Sequence, residues 1–209
     1  MGIVERRERE RTERRNAILE SAEELFLRQG YEKTRMLEIA EHCELSKGAL
    51  YLYFNNKEDL AKAVVVRAYD ILLGMLEERA SRAETGQEKV EEMLQVLFSV
   101  YQEHYRHFYL SFVLESHLRD YLSDDRRWPE RTERIDRIHR LAAEVLRQGQ
   151  RDGTVRDDID PELAAATAMT AGEGFVHRLF LYGDDMAQRR YNAEALVDSF
   201  ISILVNAIT

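Results

Sequence analysis

The residues best suited to recognising another molecule stand together at Ser46, Lys47, Gly48, Ala49, Tyr51 and Tyr53. A serine ahead of a helical run caps its first amides, and a helix start with a lysine beside it suits a phosphate oxygen. Gly48 and Ala49 are small, so a helix carrying them can approach base edges closely, and the Ala49 methyl can touch a thymine methyl. Tyr51 and Tyr53 add hydroxyls; two positions apart, they cannot both be buried on one face of a helix, so at least one faces outward. Leu50 and Phe54 point back to a core.

A second group is aromatic: Tyr101, His104, Tyr105, His107, Phe108, Tyr109 and Phe112, with Trp128 and Phe175 later in the chain. Such density suits an apolar ligand pocket with a few polar groups, and equally the core stripe of a helix. His104 and His107, with Glu103, Glu115 and His117 nearby, invite a metal reading, but no third ligand is well placed on one helix face, so no metal is expected. Nucleophile elbow, phosphate-cradling glycine loop and paired catalytic carboxylates are all missing, so neither an enzyme nor a cofactor is expected.

The elements that must position these groups read as helices throughout. With two prolines in 209 residues and 44% hydrophobic residues, the chain can bury a core in helical form. From Thr12 to Gln29 the apolar residues Ala17, Ile18, Ala22, Leu25 and Phe26 recur at helical spacing, and Gly30 closes the helix. Thr34 offers a cap for a short second helix through Met36, Leu37, Ile39 and Ala40 to about Cys43, and Ser46 opens a third that reaches Tyr53. Two short helices joined by Cys43, Glu44 and Leu45 have helix-turn-helix spacing, in which the second helix enters the major groove.

Beyond Lys57 the pattern changes to long helices. A connecting helix ends near Gly86; others span Glu88 to Tyr105, His107 to Tyr121 and Pro129 to about Gly149, with 123–128 as a charged loop. Asp160 and Pro161 open an alanine-rich helix expected to break at Gly183, Asp184 and Asp185, and the last helix runs from Asn192 to Ile208. The alanine-rich and terminal helices suit a four-helix dimer interface, or an intrachain core.

Charge argues against bulk coating of nucleic acid, since the net is -9. Residues 1–59 hold 11 Lys and Arg against 13 Asp and Glu, so most of the acidity lies later. The bases sit in an arm (Arg6, Arg7, Arg9, Arg11, Arg14, Arg15) and at Lys33, Arg35, Lys47 and Lys57, a local basic footprint. The arm, interleaved with Glu5, Glu8, Glu10 and Glu13, either touches DNA or merely extends the first helix into solvent. One cysteine, Cys43, and no apolar leader or spanning stretch lead to the expectation of a cytoplasmic protein with no membrane partner.

Ala22, Leu25, Phe26, Gly30, Tyr31 and Thr34, then Ile39, Ala40, Leu45 to Tyr51, Tyr53, Phe54, Lys57, Glu58 and Leu60 resemble the signature of the TetR family of transcriptional regulators over residues 15–60. The resemblance implies a homodimer on a palindromic operator, with Thr34, Lys47, Tyr51, Tyr53 and Lys57 near DNA and an effector pocket in the larger domain. Glu44 departs from the family, which usually has glycine in the turn; a left-handed backbone there costs glutamate roughly 1 kcal/mol.

The expected protein is therefore all-α, with about nine helices in two domains. Residues 1–56 form a three-helix helix-turn-helix DNA-binding domain, and 57–209 an effector-binding and dimerisation domain. Thr34, Arg35, Ser46, Lys47, Gly48, Ala49, Tyr51, Tyr53 and Lys57 are expected at double-stranded operator DNA. Tyr101, His104, Tyr105, Phe108, Phe112, Trp128 and Phe175 are expected at a small, largely apolar effector, with self-association through the last two helices. Repression relieved by that effector is the expected outcome, through a tilt of the helix that begins at Lys57.

Overall fold

The structure, a computed structural model, describes residues 2–122, 125–188 and 192–209, without the side chains of Ile3, Phe98, Tyr101, Asp125 and 183–188. The described residues form ten α-helices and one 3-10 turn, and no strand. The helices are α1 (Ile3–Gln29), α2 (Met36–His42), α3 (Lys47–Tyr51), α4 (Lys57–Ala80), α5 (Gly86–Gln102), α6 (Tyr105–His117), α7 (Arg119–Leu122), α8 (Pro129–Asp152), α9 (Pro161–Gln188) and α10 (Ala193–Ile208), with the 3-10 turn at Asp125–Arg127. None of them is long and apolar enough to cross a membrane.

Two compact units result. The first comprises Met1–Ala68 and Leu110–Trp128; the second comprises Tyr69–Tyr109 and Pro129–Thr209. Helices α4 and α6 each pass from one unit into the other.

In the first unit, α1 begins nine residues before the expected Thr12. Apolar periodicity marks only the part of a helix that packs, whereas residues 3–11 are helix formers held by local pairs. Glu5 accepts from the Gly2 amide at 2.8 Å, and Arg6–Glu10 and Arg9–Glu13 pair at 3.6 and 3.5 Å. Gly30 ends the helix at φ 85°, its amide donating to the Phe26 carbonyl. The core holds Ile18, Leu19, Ala22, Leu25 and Phe26 of α1, Ile39 and Ala40 of α2, Leu50, Phe54, and Leu60, Ala61, Val64 and Val65 of α4. Leu110, Leu114, Leu118 and Trp128 are buried in the same unit. The Arg67 guanidinium of α4 ties back to α1 through Glu20 at 3.1 Å and Glu23 at 3.7 Å.

The second unit is built on α8, whose apolar stripe buries Ile138, Ala143, Val145 and Leu146 and leaves arginines outside. Ala143, Leu146, Val155 and Ala165 form one cluster with Val90 and Ile208, while Leu179, Val197 and Ile201 form another with Leu94 and Phe175. Arginines of α8 pair with the second half of α4, Arg134 with Asp70 at 2.9 Å and Arg137 with Glu77 at 2.6 Å. Asp160 caps α9 by accepting from the Leu163 amide, and Asn192 caps α10 by accepting from Ala195. The break expected at Gly183, Asp184 and Asp185 is absent, since α9 continues to Gln188. One glycine costs a helix only about 1 kcal/mol, which the packed turns before it offset.

Candidate nucleic-acid interface and effector region

The turn between α2 and α3 is tight. Cys43 and Leu45 donate their amides to Ile39 and Ala40 at 3.1 and 2.8 Å, and Glu44 between them sits at φ 54°, the one described non-glycine residue with positive φ. The position is left-handed, as the resemblance implied, and Glu44 occupies it against its own side chain. Burial raises the Cys43 thiol pKa. Ser46 opens α3, its hydroxyl oxygen accepting from the Ala49 amide at 3.2 Å. Leu50 is fully buried and Phe54 nearly so, which anchors α3 by one side and turns its other side out.

That outward side carries most of the expected recognition residues. Ser46, Lys47, Gly48 and Tyr51 are exposed, Ala49 and Tyr53 half-buried, and the Lys47 ammonium lies 5.8 Å from the Tyr51 ring centroid. Arg35 is exposed at the start of α2. Leu37 and Leu52 are exposed as well, Leu52 to 79%, and pattern reasoning passed over both because leucine at helical spacing reads as core.

Thr34 and Lys57 are placed differently. Thr34 is buried; its hydroxyl donates to the Gly30 carbonyl at 2.8 Å. It does not cap α2, where Arg35 holds the N-cap position and Glu38 reaches back to the Arg35 amide at 2.8 Å. The α1 C-terminus supplies the nearer acceptor, so the hydroxyl satisfies that end instead. The Lys57 ammonium donates to the carbonyls of Tyr31 and Glu32 at 2.9 and 3.2 Å. Burial and the nearby Glu58 and Glu32 push the Tyr31 phenol up to about 12.

The expected effector residues divide between the units. Tyr105 stacks on Tyr109 at 5.3 Å and meets the Phe180 ring edge-on at 5.1 Å, with Phe108 buried on the same helix. His104 lies 6.3 Å from His107, ring to ring. Phe175 stacks on Phe200 at 4.4 Å. Phe112 and the buried Trp128 belong to the first unit, and the Tyr101 side chain lies outside the described residues. An open cleft of about 410 Å³ is lined by Arg82, Ala83, Glu84, Glu88, Glu91 and Glu92, with none of the expected residues in it. Its four carboxylates do not suit an apolar or anionic ligand. Among the described residues no three of His, Cys, Asp and Glu come together as metal ligands would.

A short helix pair with a left-handed turn, a capped and outward-facing second helix, and a larger all-helical remainder define a helix-turn-helix regulator. Residues 18–64 match the family described as bacterial regulatory proteins, tetR family. The HTH-type transcriptional regulator TtgR of Pseudomonas putida is 25% identical over 197 residues, covering 88% of each chain. The uncharacterized HTH-type transcriptional regulator YuxN of Bacillus subtilis is 33% identical over 92 residues, which is 44% of this chain and 32% of that protein. The crystal structure of the transcriptional regulator FadR from Bacillus subtilis in complex with stearoyl-CoA has the same fold, with a TM-score of 0.70 at 22% identity over 92% of this chain and 98% of that one. Residues 18–64 thus carry the DNA-binding region of the TetR family, and along most of its length the chain is similar to transcriptional regulators.

Proposed function

We propose that the chain is a ligand-responsive repressor acting in the cytoplasm, which binds a palindromic operator as a homodimer and is released by a small, largely apolar effector. The observation that carries this reading is the outward face of α3, where Lys47 and Tyr51 stand exposed beside Ser46 and Gly48 while Leu50 anchors the helix. In this reading residues 1–56 contact DNA and 57–209 bind the effector and the second copy. Arg35, Ser46, Lys47, Gly48, Ala49, Tyr51 and Tyr53 make the DNA contacts, while Thr34 and Lys57 hold the α1–α2 junction.

Self-association is assigned to α9 and α10. Leu163, Thr167, Thr170, Gly174, His177 and Leu181 recur at four and three along α9, all exposed, and Ile203 of α10 is 64% exposed. Small residues between leucines permit close helix approach, and a two-fold pair would present two α3 helices about one DNA turn (~34 Å) apart. The effector is assigned to the aromatic group of Tyr105, Phe108, Tyr109 and Phe180, which offers apolar surface with phenol hydroxyls. Acyl-CoA esters are the first probes, because the FadR structure holds stearoyl-CoA.

The test selects duplexes from a randomised pool with the full chain. Recovery of a two-fold-symmetric site, its loss with Lys47→Ala and Tyr51→Ala, and sedimentation as a dimer are the expected results. A chain that stays monomeric at micromolar concentration, or selects no sequence, would falsify the reading. Stearoyl-CoA and shorter acyl-CoA esters are then scored by thermal shift and by release of the selected duplex.

A further inference from the structure

The first turns of α1 hold an asymmetry that the helix-turn-helix does not use. All described side chains of residues 2–17 are exposed, so the start of α1 overhangs the three-helix packing; its 14 residues from Ile3 to Asn16 span about 21 Å. Arg7, Arg11 and Arg14 recur at four and three, and continuing that register reaches Ile18, Ala22 and Leu25, which are 0%, 0% and 2% exposed. The arginines therefore occupy the core-facing register of α1, extended past the end of the core. Arg15 lies on the same side, its guanidinium 5.3 Å from the ring centroid of Phe54, just beyond α3.

The opposite face is neutralised within itself. Arg6 pairs with Glu10 and Arg9 with Glu13, and their register continues through exposed Ala17, Glu20 and Glu24. No ion pair engages Arg7, Arg11, Arg14 or Arg15 among the described residues; the acids flanking them are Glu8 and Glu10, and Glu10 is held by Arg6. One helix thus has a compensated outer face and a cationic inner face, and the inner face turns toward the end of α3.

We infer that Arg7, Arg11 and Arg14 form a second DNA contact, gripping backbone phosphates that flank the bases read by α3. This rests on the DNA-binding reading above. From Arg7 to Arg14 the stripe covers about 10.5 Å, the axial length of about three nucleotides of one strand. Guanidinium groups suit phosphate oxygens, and phosphate contacts carry no sequence information directly. The contact adds affinity without sequence preference.

The experiment measures duplex affinity against salt for the full chain, with a duplex selected by the wild type and with an unrelated one. The variants are Arg7→Gln/Arg11→Gln/Arg14→Gln and, on the other face, Arg6→Gln/Arg9→Gln. The triple variant is expected to keep its helical content and its preference for the selected duplex, while the log-log salt slope shrinks by about 2 to 3 on both duplexes. The outer-face variant keeps the wild-type slope. An unchanged slope in the triple variant, or an equal change in the outer-face variant, overturns the inference while leaving α3 recognition intact. Loss of binding to phosphatidylglycerol vesicles with an unchanged DNA slope overturns it in favour of a lipid surface. A wild type that binds neither duplex overturns the DNA-binding reading and this inference together.

Discussion

The Lys57 ammonium stands 2.9 Å from the Tyr31 carbonyl oxygen and 4.2 Å from the centroid of the Tyr31 ring, so the first residue of α4 clasps the junction between α1 and α2. The Tyr31 ring also lies 5.2 Å from His117 of α6, whose Nδ1 is 3.4 Å from a Glu32 carboxylate oxygen. Three chain segments of the first unit meet at this point.

Lys57→Met removes the charge and keeps most of the stem. The loss of two hydrogen bonds and a cation–π contact at a half-buried site is expected to cost about 1–2 kcal/mol, lowering Tm by roughly 4 °C. A calorimetric scan without DNA decides the matter. If Lys57 acted solely on phosphates, Tm would hold and only duplex affinity would fall.

Glu44 at φ 54° is strained by its own side chain. Glu44→Asn is expected to stabilise the chain by roughly 0.5–1 kcal/mol, because asparagine tolerates the left-handed region. Glu44→Gln removes the charge but not the strain, so its melting temperature is expected to match the wild type. Equal gains in both variants would show that charge, not backbone, sets the effect.

Gly86 and Gly149 are in backbone-to-backbone contact where α5 starts against α8. A Cβ at Gly86 would meet the Gly149 Cα and N, and one at Gly149 would meet the Val155 side chain. Gly86→Ala is expected to cost about 3 kcal/mol, since backbone cannot yield cheaply. Gly149→Ala is expected to cost about 1 kcal/mol net, because the helix gains from alanine part of what the clash takes. Urea unfolding midpoints for the two variants give the order, and a milder effect at Gly86 would contradict this packing.

Asp152 joins the same place by accepting from the Gly86 amide at 2.8 Å and from the Thr154 amide at 3.1 Å. Hydrogen bonds from Thr154 and Gly86 hold its carboxyl pKa below the usual value. Its contribution is therefore complete above the unfolded aspartate pKa of about 3.9 and is lost as pH falls through the lower folded value. Asp152→Asn is expected to be less stable than wild type at neutral pH, with the gap closing as pH falls below about 4. A gap that stays constant down to acid pH would mean that the charge of Asp152 is irrelevant.

How much was legible in the residue order depends on how local each feature is. Ser46, Gly30, Asn192 and the Asp160–Pro161 pair mark helix ends because a cap or a φ restriction acts within a few residues. The turn at Glu44 and the outward face of α3 follow from equally short-range rules. The resemblance implies that Thr34 and Lys57 lie near DNA, yet a family pattern does not say which acceptor is nearest. For both, the nearest acceptors are main-chain carbonyls of the α1–α2 junction, brought there by folding.

By itself the sequence determined the all-helical architecture, the ends of most helices and the helix that faces outward, because capping, glycine backbone freedom and apolar periodicity act over one or two turns. Only the tertiary structure decided that Leu110–Trp128 packs with the N-terminal helices, that α1 starts at Ile3, and that Arg15 meets Phe54. Those facts join residues tens of positions apart or depend on where a packed core stops. No local preference encodes either.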